Sequence, residues 1–420
     1  MNNIWAGDSQ TIDIVKEFLR AILTQENAHE VLLSLDSRCI PPVVEILQSE
    51  VLSNPSRGIS GRRQRHFQCL RALVGKHNIL PSSLLLRNLT CEGMHAVRGG
   101  SFSDIWKGFF EEKPVCLKVM RIHLEANEQT RTKAFCEEAL IWKQLEHPHI
   151  LPLLGVNTEL FSPAFCLVSP WMGNGDIITY LKKNPTHDRL RSVHEIASGL
   201  AYLHSLEPNI IHGDIKGANI LVDNKRSCRL ADFGLATIIE TERVDSTTSS
   251  AIKGTVRWMA PEMFAPKDEA ETNNSEAKWP RDIYAFACTI FEIMTGEPPF
   301  ANLSGAAVMF KVITGVRPAR PVDGWCPDKM WRLVERCWAQ DPGMRPRATQ
   351  LEKTLQRAAH KGTAVQRRGA ARQDSIDNRT TPNGPRQACP DYKSSSKYTM
   401  TKSSLVTVQR GLNRCYPIGE

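Results

Sequence analysis

The sequence has no closely paired cysteines. Its twelve cysteines are scattered from Cys39 to Cys415, and no two of them have the C-x-x-C spacing that is typical of zinc and redox sites. Scattered cysteines of this kind are most often buried free thiols. We therefore predict neither a zinc site nor thiol redox chemistry.

Long apolar runs are also missing. No stretch approaches the roughly 18 consecutive apolar residues that span a bilayer, and the first ten residues, MNNIWAGDSQ, lack the charged and then apolar pattern of a secretory signal. The 41% of hydrophobic and 23% of charged residues are close to the average of soluble globular proteins. We therefore expect an intracellular protein, in the cytoplasm, without a membrane span.

Little of the net charge lies outside the last sixty residues. The chain carries +8, and residues 361–420 hold eleven Lys or Arg against four Asp or Glu. The basic stretch around Arg62, Arg63 and Arg65 has no aromatic platform on which bases would stack, which favours a solvated helix face. A nucleic-acid partner is therefore not predicted.

The residue pattern divides the chain into three regions. Residues 1–80 carry apolar side chains at helical spacing and are predicted to be a short helical segment. Residues 91–358 show short β-branched runs first and longer helical patterns later, which is typical of a small β-rich lobe followed by a larger helical lobe. Residues 361–420 are polar with few aromatics, which predicts a disordered basic tail.

The strongest chemical signal is the segment HGDIKGANIL, residues 212–221. Asp214 is followed five positions later by Asn219, as in loops where the carboxylate takes up a hydroxyl proton and the amide oxygen binds Mg²⁺. Eighteen residues after Asp214, Asp232 begins a D-F-G tripeptide and offers a second hard oxygen ligand. We predict that Asn219 and Asp232 hold Mg²⁺, with Mn²⁺ as an alternative metal.

A lysine and a glutamate upstream complete this pattern. Lys118 ends the apolar run VCLK, which suits an ammonium that pairs with the α- and β-phosphates of ATP. Glu138 lies in a helical pattern over residues 134–145 and is predicted to pair with Lys118. Because such a pair is partly desolvated, losing either member should cost far more than breaking a surface ion pair.

The loop expected to cover the phosphates departs from the G-x-G-x-x-G pattern. Arg98 stands in place of its first glycine and Ser103 in place of its third, whereas Gly99, Gly100 and Ser101 keep part of the turn. Glycine serves here because backbone amides must approach phosphates without a Cβ in the way. Taken alone, this segment fits a plain hairpin turn equally well.

Together, these motifs resemble the eukaryotic protein kinase family from residue 91 to about residue 357. The lysine strand, the helix glutamate, the catalytic loop, D-F-G and the A-P-E tripeptide at 260–262 occur in the family's order. The resemblance implies an α+β fold of two lobes, a small β-rich lobe with one key helix and a larger helical lobe, with ATP between them. It implies catalytic roles for Lys118, Glu138, Asp214 and Lys216.

The resemblance also implies where adenine binds. It places the hinge between the lobes in the segment LVSPWM, residues 167–172. Ser169 matches the small gatekeeper position, and the backbone of Met172 matches the position that faces adenine. The positions that sandwich the adenine ring in the family match Ile105, Cys116 and Leu221.

Features of subfamilies narrow the resemblance. Lys216 and Thr255 match serine/threonine kinases, whereas Cys337 followed by Trp338 matches the tyrosine kinase and tyrosine-kinase-like branch. The combination is similar to tyrosine-kinase-like serine/threonine kinases of mushroom-forming fungi. It implies transfer of the γ-phosphate of ATP to serine or threonine of protein substrates in intracellular signalling, with a protein partner for the N-terminal helices.

Two alternatives stay open. The replaced glycines at Arg98 and Ser103 favour a pseudokinase that acts as a nucleotide-binding scaffold, whereas the intact lysine and metal ligands oppose it. The other alternative is a tyrosine or dual-specificity kinase. Regulation departs from the family as well, because Gly213 replaces the arginine that usually reads a phosphate on the activation loop.

Overall fold

The computed structural model describes residues 9–25, 27–53, 61–99, 103–121, 128–207, 209–232, 255–264, 278–322 and 325–359. Two of the predicted phosphate-loop residues, Gly100 and Ser101, lie outside these ranges. The predicted disordered tail at 361–420 also lies outside them.

Four helices come first in the chain. They are α1 (Ser9–Leu23), α2 (Ala28–Leu33), α3 (Ile40–Ser53) and α4 (Gly61–His77). Pro41 and Pro42 occupy the first turn of α3, where a backbone N–H has no partner within the helix and its loss costs little. Each helix buries apolar side chains in a shared core, as Leu19, Leu32, Leu47 and Leu70 do.

The lobe that follows is built on an antiparallel sheet. Its strands are β1 (Thr90–Cys91), β2 (Arg98–Gly99), β3 (Ser103–Phe110), β4 (Lys113–Met120), β5 (Gly155–Asn157) and β6 (Cys166–Pro170). The order is β1-β3-β4-β6-β5, and β2 pairs with β3. A Cβ at Gly108 on β3 would lie 2.3 Å from the backbone oxygen of Thr90, so only glycine lets β1 approach.

One long helix, α5 (Glu128–Lys143), packs on this sheet. Phe135 stacks on Phe165 with 4.7 Å between ring centroids. Near the other end of the helix, Trp142 Nε1 donates to the backbone oxygen of Leu151 at 2.6 Å. The helix begins six residues before the predicted range of 134–145 and ends two residues before the end of that range. Strand β4 continues two residues beyond Lys118.

The second lobe is mainly helical. Its helices are α6 (Ile177–Lys183), α7 (Arg189–His204), α8 (Trp279–Thr295), α9 (Gly305–Ile313), α10 (Asp328–Cys337) and α11 (residues 348–359), and its hairpin is β7 (Ile220–Val222) with β8 (Cys228–Leu230). Most residues of α8 are buried, as expected of a central helix that is apolar on nearly every side. Gly296 caps the C-terminal end of α8, and its φ of 77° is a left-handed conformation that glycine adopts without strain.

The two lobes confirm the predicted α+β architecture, including the helical segment in front of it. The candidate site residues come from both lobes. Strand β4 and helix α5 carry those of the first lobe, and the segments before β7 and after β8 carry those of the second. None of the helices in the described ranges is long and apolar enough to cross a membrane.

Candidate active site

Lys118 is a buried cation on β4. In the sheet it lies opposite Ile105 on β3 and Leu167 on β6, and only 5% of its side chain is exposed. Its Nζ atom donates a hydrogen bond to Oδ1 of Asp232 at 2.9 Å and lies 3.9 Å from Oε1 of Glu138. The strand therefore delivers one positive charge to a point between two carboxylates.

Glu138 is the less satisfied of the two carboxylates. Its side chain is 1% exposed, and neither oxygen has a hydrogen-bond partner among the described residues. Burial raises the pKa of Glu138 to about 7, although the charge of Lys118 acts to lower it. This carboxyl group therefore changes its charge near neutral pH.

Lys118 and Asp232 stabilise each other's charged forms. Burial acts to lower the pKa of Lys118, but the attraction of Asp232 and Glu138 outweighs it, and the pKa is raised. Burial acts to raise the pKa of Asp232, but the charge and the hydrogen bond of Lys118 outweigh this effect, so the pKa of Asp232 is lowered. The side chain of Asp232 is 40% exposed, which weakens the effect of burial. Both groups are therefore charged over the physiological range.

The backbone of Asp232 is strained. Its φ of 61° lies in the left-handed region, which is uncommon for residues other than glycine and costs on the order of 1–3 kcal/mol. The neighbouring Ala231 donates its N–H to the backbone oxygen of Asn219 at 2.9 Å, which fixes the chain just before this turn. The turn after β8 thereby brings the carboxylate of Asp232 to Lys118.

Asp214 is the centre of a second polar cluster, in the loop between α7 and β7. Its Oδ2 atom accepts hydrogen bonds from Lys216 Nζ at 2.7 Å and from Asn219 Nδ2 at 2.8 Å. Its Oδ1 atom is buried and has no hydrogen-bond partner among the described residues. One carboxylate oxygen is thus held in place, while the other is left as an acceptor for a further hydroxyl group.

The loop that carries Asp214 is fastened to α8. The backbone N–H groups of His212 and Gly213 donate to the two carboxylate oxygens of Asp282, both at 2.8 Å, and His204 Nε2 lies 2.8 Å from the same carboxylate. Gly213 has φ 75°, a conformation that favours glycine. Asp282, a buried residue of α8, therefore fixes the position of the loop relative to this helix.

The next residues of the loop are held just as tightly. Gly217 donates its N–H to Oε2 of Glu292 on α8 at 2.9 Å. A Cβ at Gly217 would lie 2.4 Å from Cγ1 of Ile178, so the loop has no room for a side chain there. Lys216 Nζ, besides contacting Asp214, lies 3.2 Å from Oγ1 of Thr255.

The predicted adenine residues lie along both lobes. Cys116 on β4 pairs with Ser169 on β6, and Ser169 is buried. Burial raises the pKa of the Cys116 thiol to about 11, so it presents a neutral surface. The remaining residues, in chain order, are Ile105 on β3, Met172 after β6 and Leu221 on β7.

The predicted phosphate loop is described in part. Arg98 and Gly99 form β2, which pairs antiparallel with β3 opposite Ile105 and Asp104. Gly99 is exposed on this edge of the sheet. The structure thus shows that these two strands pair, whereas Gly100 and Ser101 lie outside the described residues.

The donor set suits a nucleotide with its metal ion. Asp232 offers a carboxylate. The side-chain nitrogen of Asn219 donates hydrogen bonds to the backbone oxygen and to Oδ2 of Asp214, so the side-chain oxygen of Asn219 takes part in neither bond. Mg²⁺ prefers hard oxygen ligands, usually takes only one or two from the protein, and obtains the others from phosphate and water. Asn219, Asp232 and Lys118 together therefore fit a polyphosphate that carries a divalent cation.

A further ion pair stabilises the neighbouring segment. Arg345 donates to both carboxylate oxygens of Glu262, at 2.7 and 2.8 Å, and its side chain is fully buried. The backbone oxygens of Ala339 and Pro280 accept further hydrogen bonds from the same guanidinium. The pair holds the segment after Thr255 against the helical lobe and has a structural role.

Comparisons with known proteins bear on the same region. A family model described as protein tyrosine and serine/threonine kinase matches residues 92–355. The chain is 30% identical over 261 residues to the serine/threonine-protein kinase STY17 of Arabidopsis thaliana, which covers 61% of this chain and 42% of that protein. This match is one of several of similar strength.

Two further relatives show the same pattern. The ankyrin repeat and protein kinase domain-containing protein 1 of Mus musculus is 31% identical over 268 residues, 61% of this chain and 34% of that protein. The serine/threonine/tyrosine-protein kinase HT1 of Arabidopsis thaliana is 29% identical over 267 residues, 61% of this chain and 64% of that protein. The chain thus spans less than half the length of two of these three relatives.

Proposed function

Because the chain belongs to the protein tyrosine and serine/threonine kinase family, we propose that it is an active kinase that transfers the γ-phosphate of ATP to serine and threonine hydroxyls of protein substrates. The observation that carries the proposal is the position of Lys118 between Asp232 and Glu138. A cation held in this way receives phosphates without the cost of ordering it during the reaction.

Asp214 accepts the proton of the substrate hydroxyl group in this proposal. Lys216 and Asn219 hold its Oδ2 atom, which leaves Oδ1 to accept a hydrogen bond from the substrate hydroxyl. As the hydroxyl oxygen bonds to the γ-phosphorus, its proton passes to Asp214 and the bond from that phosphorus to ADP breaks. Lys216 lies beside Asp214 and offsets the negative charge of the phosphoryl group.

ATP and Mg²⁺ are the cofactors of this family, and we assign their sites here to particular residues. Asn219 and Asp232 hold Mg²⁺ or Mn²⁺, and Lys118 pairs with the α- and β-phosphates. When bound, the metal ion neutralises charge on the phosphate oxygens. The proposed nucleotide site further comprises Gly99, Gly100, Ser101, Ile105, Cys116, Ser169, Met172 and Leu221.

Radiolabel transfer from ATP to a generic protein substrate tests this activity. We expect transfer by the wild-type chain and a loss of about 100- to 1,000-fold in Asp214→Asn, which keeps the size of the side chain but removes the proton acceptor. The competing proposal, a pseudokinase scaffold, is supported by Arg98 and Ser103 in the phosphate loop. Transfer by the wild-type chain no higher than that of Asp214→Asn would favour the scaffold.

Specificity for serine and threonine is supported by Lys216, which bridges Asp214 and Thr255 through its Nζ atom. Phosphoamino-acid analysis of the product tests it, with phosphoserine and phosphothreonine expected. Predominant phosphotyrosine would show a tyrosine kinase, and a mixture would show dual specificity. Thr255→Ser keeps the hydroxyl and should keep the rate, whereas the isosteric Thr255→Val should lower it.

The remaining assignments concern the whole protein. We propose that it acts in cytoplasmic signalling on protein substrates and not on nucleic acid, and that it is related to the tyrosine-kinase-like enzymes of mushroom-forming fungi. We propose residues 91–358 as the catalytic domain, since the family match at 92–355 falls within them. Deleting residues 361–420 should then leave peptide phosphorylation nearly intact.

A further inference from the structure

Helix α4 packs against α5, the helix that carries Glu138. The two helices contribute buried apolar side chains to one continuous core: Cys69, Leu70, Leu73 and Val74 from α4, and Phe135, Cys136, Ala139 and Leu140 from α5. The N-terminal helices are thus packed within the same folded unit as the site.

Two residues of α4 meet the same residue of α5. Arg71 Nη2 lies 3.6 Å from Oε2 of Glu137. A Cβ at Gly75 would lie 3.2 Å from Oε1 of Glu137 and 3.4 Å from Cε of Lys133. Glycine in a helix interior costs about 1 kcal/mol relative to alanine, and the close approach of α5 gives a packing reason for it here.

Glu137 and Glu138 point in different directions from α5. Successive residues of an α-helix are turned by about 100° around its axis, so neighbouring side chains cannot share a face. Glu137 meets α4, whereas Glu138 is turned to Lys118 on β4. Any rotation of α5 that releases Glu137 from α4 therefore also moves Glu138 relative to Lys118.

Two hydrogen bonds join the C-terminal end of α5 to its own lobe. Trp142 Nε1 donates to the backbone oxygen of Leu151 at 2.6 Å, and Lys143 Nζ donates to that of Leu154 at 2.8 Å. Farther from that end, Phe135 stacks on Phe165 of the same lobe, and Arg71 of α4 pairs with Glu137. The position of α5 is thus set by α4 together with its own lobe.

Hydrogen bonds from α4 tie the N-terminal helices to one another. From α4, Arg65 Nη1 donates to the last backbone oxygen of α1, at Leu23, and Lys76 Nζ donates to the last backbone oxygen of α2, at Leu33. These cations satisfy carbonyl groups that the helix ends leave unpaired. After α4, Leu86 donates its N–H to the backbone oxygen of Val156 at 2.8 Å, which ties the chain to β5.

We propose that helices α1 to α4 are an intramolecular positioning element, in which α4 fixes α5, through Arg71 and Gly75, so that Glu138 meets Lys118. The inference rests on the proposed kinase activity of this site. It gives the N-terminal helices a role in cis, in the catalytic unit itself, beyond the docking of a partner protein. Arg71 and Gly75 are positioning residues and do not touch the nucleotide.

The first test places a wedge between the helices of the full chain. Gly75→Leu introduces a side chain against Glu137 and Lys133, and Gln68→Leu introduces the same side chain at an exposed position of α4. If α5 keeps its position in only about one-tenth of the Gly75→Leu molecules, kcat should fall about tenfold. The KM for the peptide should stay within about twofold, because the peptide site is unchanged. Gln68→Leu should match the wild-type chain.

Hydrogen exchange of the backbone amides separates a local effect on α5 from a general loss of stability. In Gly75→Leu we expect faster exchange over residues 128–143 with slow exchange preserved in α8. A loss of activity with unchanged exchange in α5, or faster exchange with full activity, would overturn the inference. Because exchange is measured without turnover, an inactive wild-type chain counts only against the proposed kinase activity.

A charge swap tests the same contact if Gly75→Leu does not fold. Arg71→Glu and Glu137→Arg each place like charges together, whereas the double variant restores opposite charges. The ion pair is partly exposed, so each single variant should lower kcat only about twofold to fivefold, and the double variant should recover it. Single variants with wild-type activity and wild-type exchange in α5 would refute the role of this contact.

Discussion

The Nζ atom of Lys118 donates a 2.9 Å hydrogen bond to Oδ1 of Asp232. The lysine comes from β4 in the small lobe and the aspartate from the turn after β8 in the helical lobe. The bond therefore joins the two lobes at one point. In the proposed reaction, this is the point that receives the phosphates of the nucleotide.

Replacing Lys118 by methionine should abolish most of the activity. Methionine fills a similar volume but removes the charge, and loss of one transition-state donor of this kind costs about 100- to 1,000-fold in rate. Lys107→Met is the matched control, because Lys107 lies on the neighbouring strand in a partly exposed ion pair with Glu92. Rates of peptide phosphorylation measure the difference, and equal rates for the two variants would contradict the assignment of Lys118.

Glu138 should make stability and activity respond to pH in opposite directions. Burial raises its pKa from 4.5 to about 7, so between these values the folded protein holds a proton that the unfolded chain has released. Its contribution to stability is therefore fully present below about 4.5 and is lost as the pH rises through about 7. The ionised form is the one that attracts Lys118, so phosphoryl transfer should increase over the same range.

Glu138→Gln separates the two effects, because it cannot ionise. Its free energy of urea unfolding, relative to that of the wild-type chain, should increase between about pH 5.5 and about pH 8. Its rate of phosphoryl transfer should be low and should lack the rise near pH 7. A relative stability that does not change with pH would show that Glu138 titrates at its ordinary value.

Gly217→Ala should disturb the catalytic loop. The added methyl group would lie 2.4 Å from Cγ1 of Ile178 and 2.9 Å from Cδ of Glu292, so the loop that carries Asp214 has to shift. We expect a drop in kcat of about 100-fold, as misplacement by about 1 Å produces. Gly305→Ala is the control, since its methyl group meets only Cγ1 of Val256 at an ordinary 3.5 Å. Equal kcat values for these two variants would rule out the expected shift.

Arg345→Met should destabilise the protein strongly. It removes a fully buried cation that is bonded to both oxygens of Glu262 and to backbone oxygens around it. Breaking a buried pair costs about 3–5 kcal/mol, and we expect the lower end because Glu262 is 25% exposed. Urea unfolding measures the loss.

Arg320→Met provides the comparison for Arg345→Met. Arg320 pairs with Asp328 on the surface, where 43% and 75% of the two side chains are exposed. A pair of this kind contributes about 0–1 kcal/mol, so the variant should unfold almost as the wild-type chain does. Equal losses for the two arginines would show that burial does not set the strength of the Arg345 contact.

The sequence predicts the fold class and the expected neighbours of Lys118. The lobes follow from the order of β-branched and helical patterns, and both are present. The structure places Lys118 beside Glu138, the pair that the sequence analysis predicts, and also beside Asp232, and it places Asn219 beside Asp214. These residue types have few alternative uses at such spacing, and Asp214→Asn and Lys118→Met test their chemical roles.

The sequence does not predict what packs against a helix. Apolar periodicity in residues 61–77 indicates a buried face, but it does not show that α5 covers that face. Helix α5 also begins at Glu128, because most of the polar residues before its apolar positions are good helix formers, although they show no apolar periodicity. The contact of Asp282 with the loop, seventy residues away in the chain, depends on tertiary structure that spacing cannot reveal.

Gly213 fixes the backbone conformation of the loop that carries Asp214. Its left-handed backbone and its N–H bond to Asp282 fix the loop through main-chain atoms, at the position where related enzymes usually carry an arginine. With glycine at this position, residue 213 offers no side-chain cation to a phosphate. The backbone of this loop is instead tied to the central helix of its lobe by the N–H groups of His212 and Gly213.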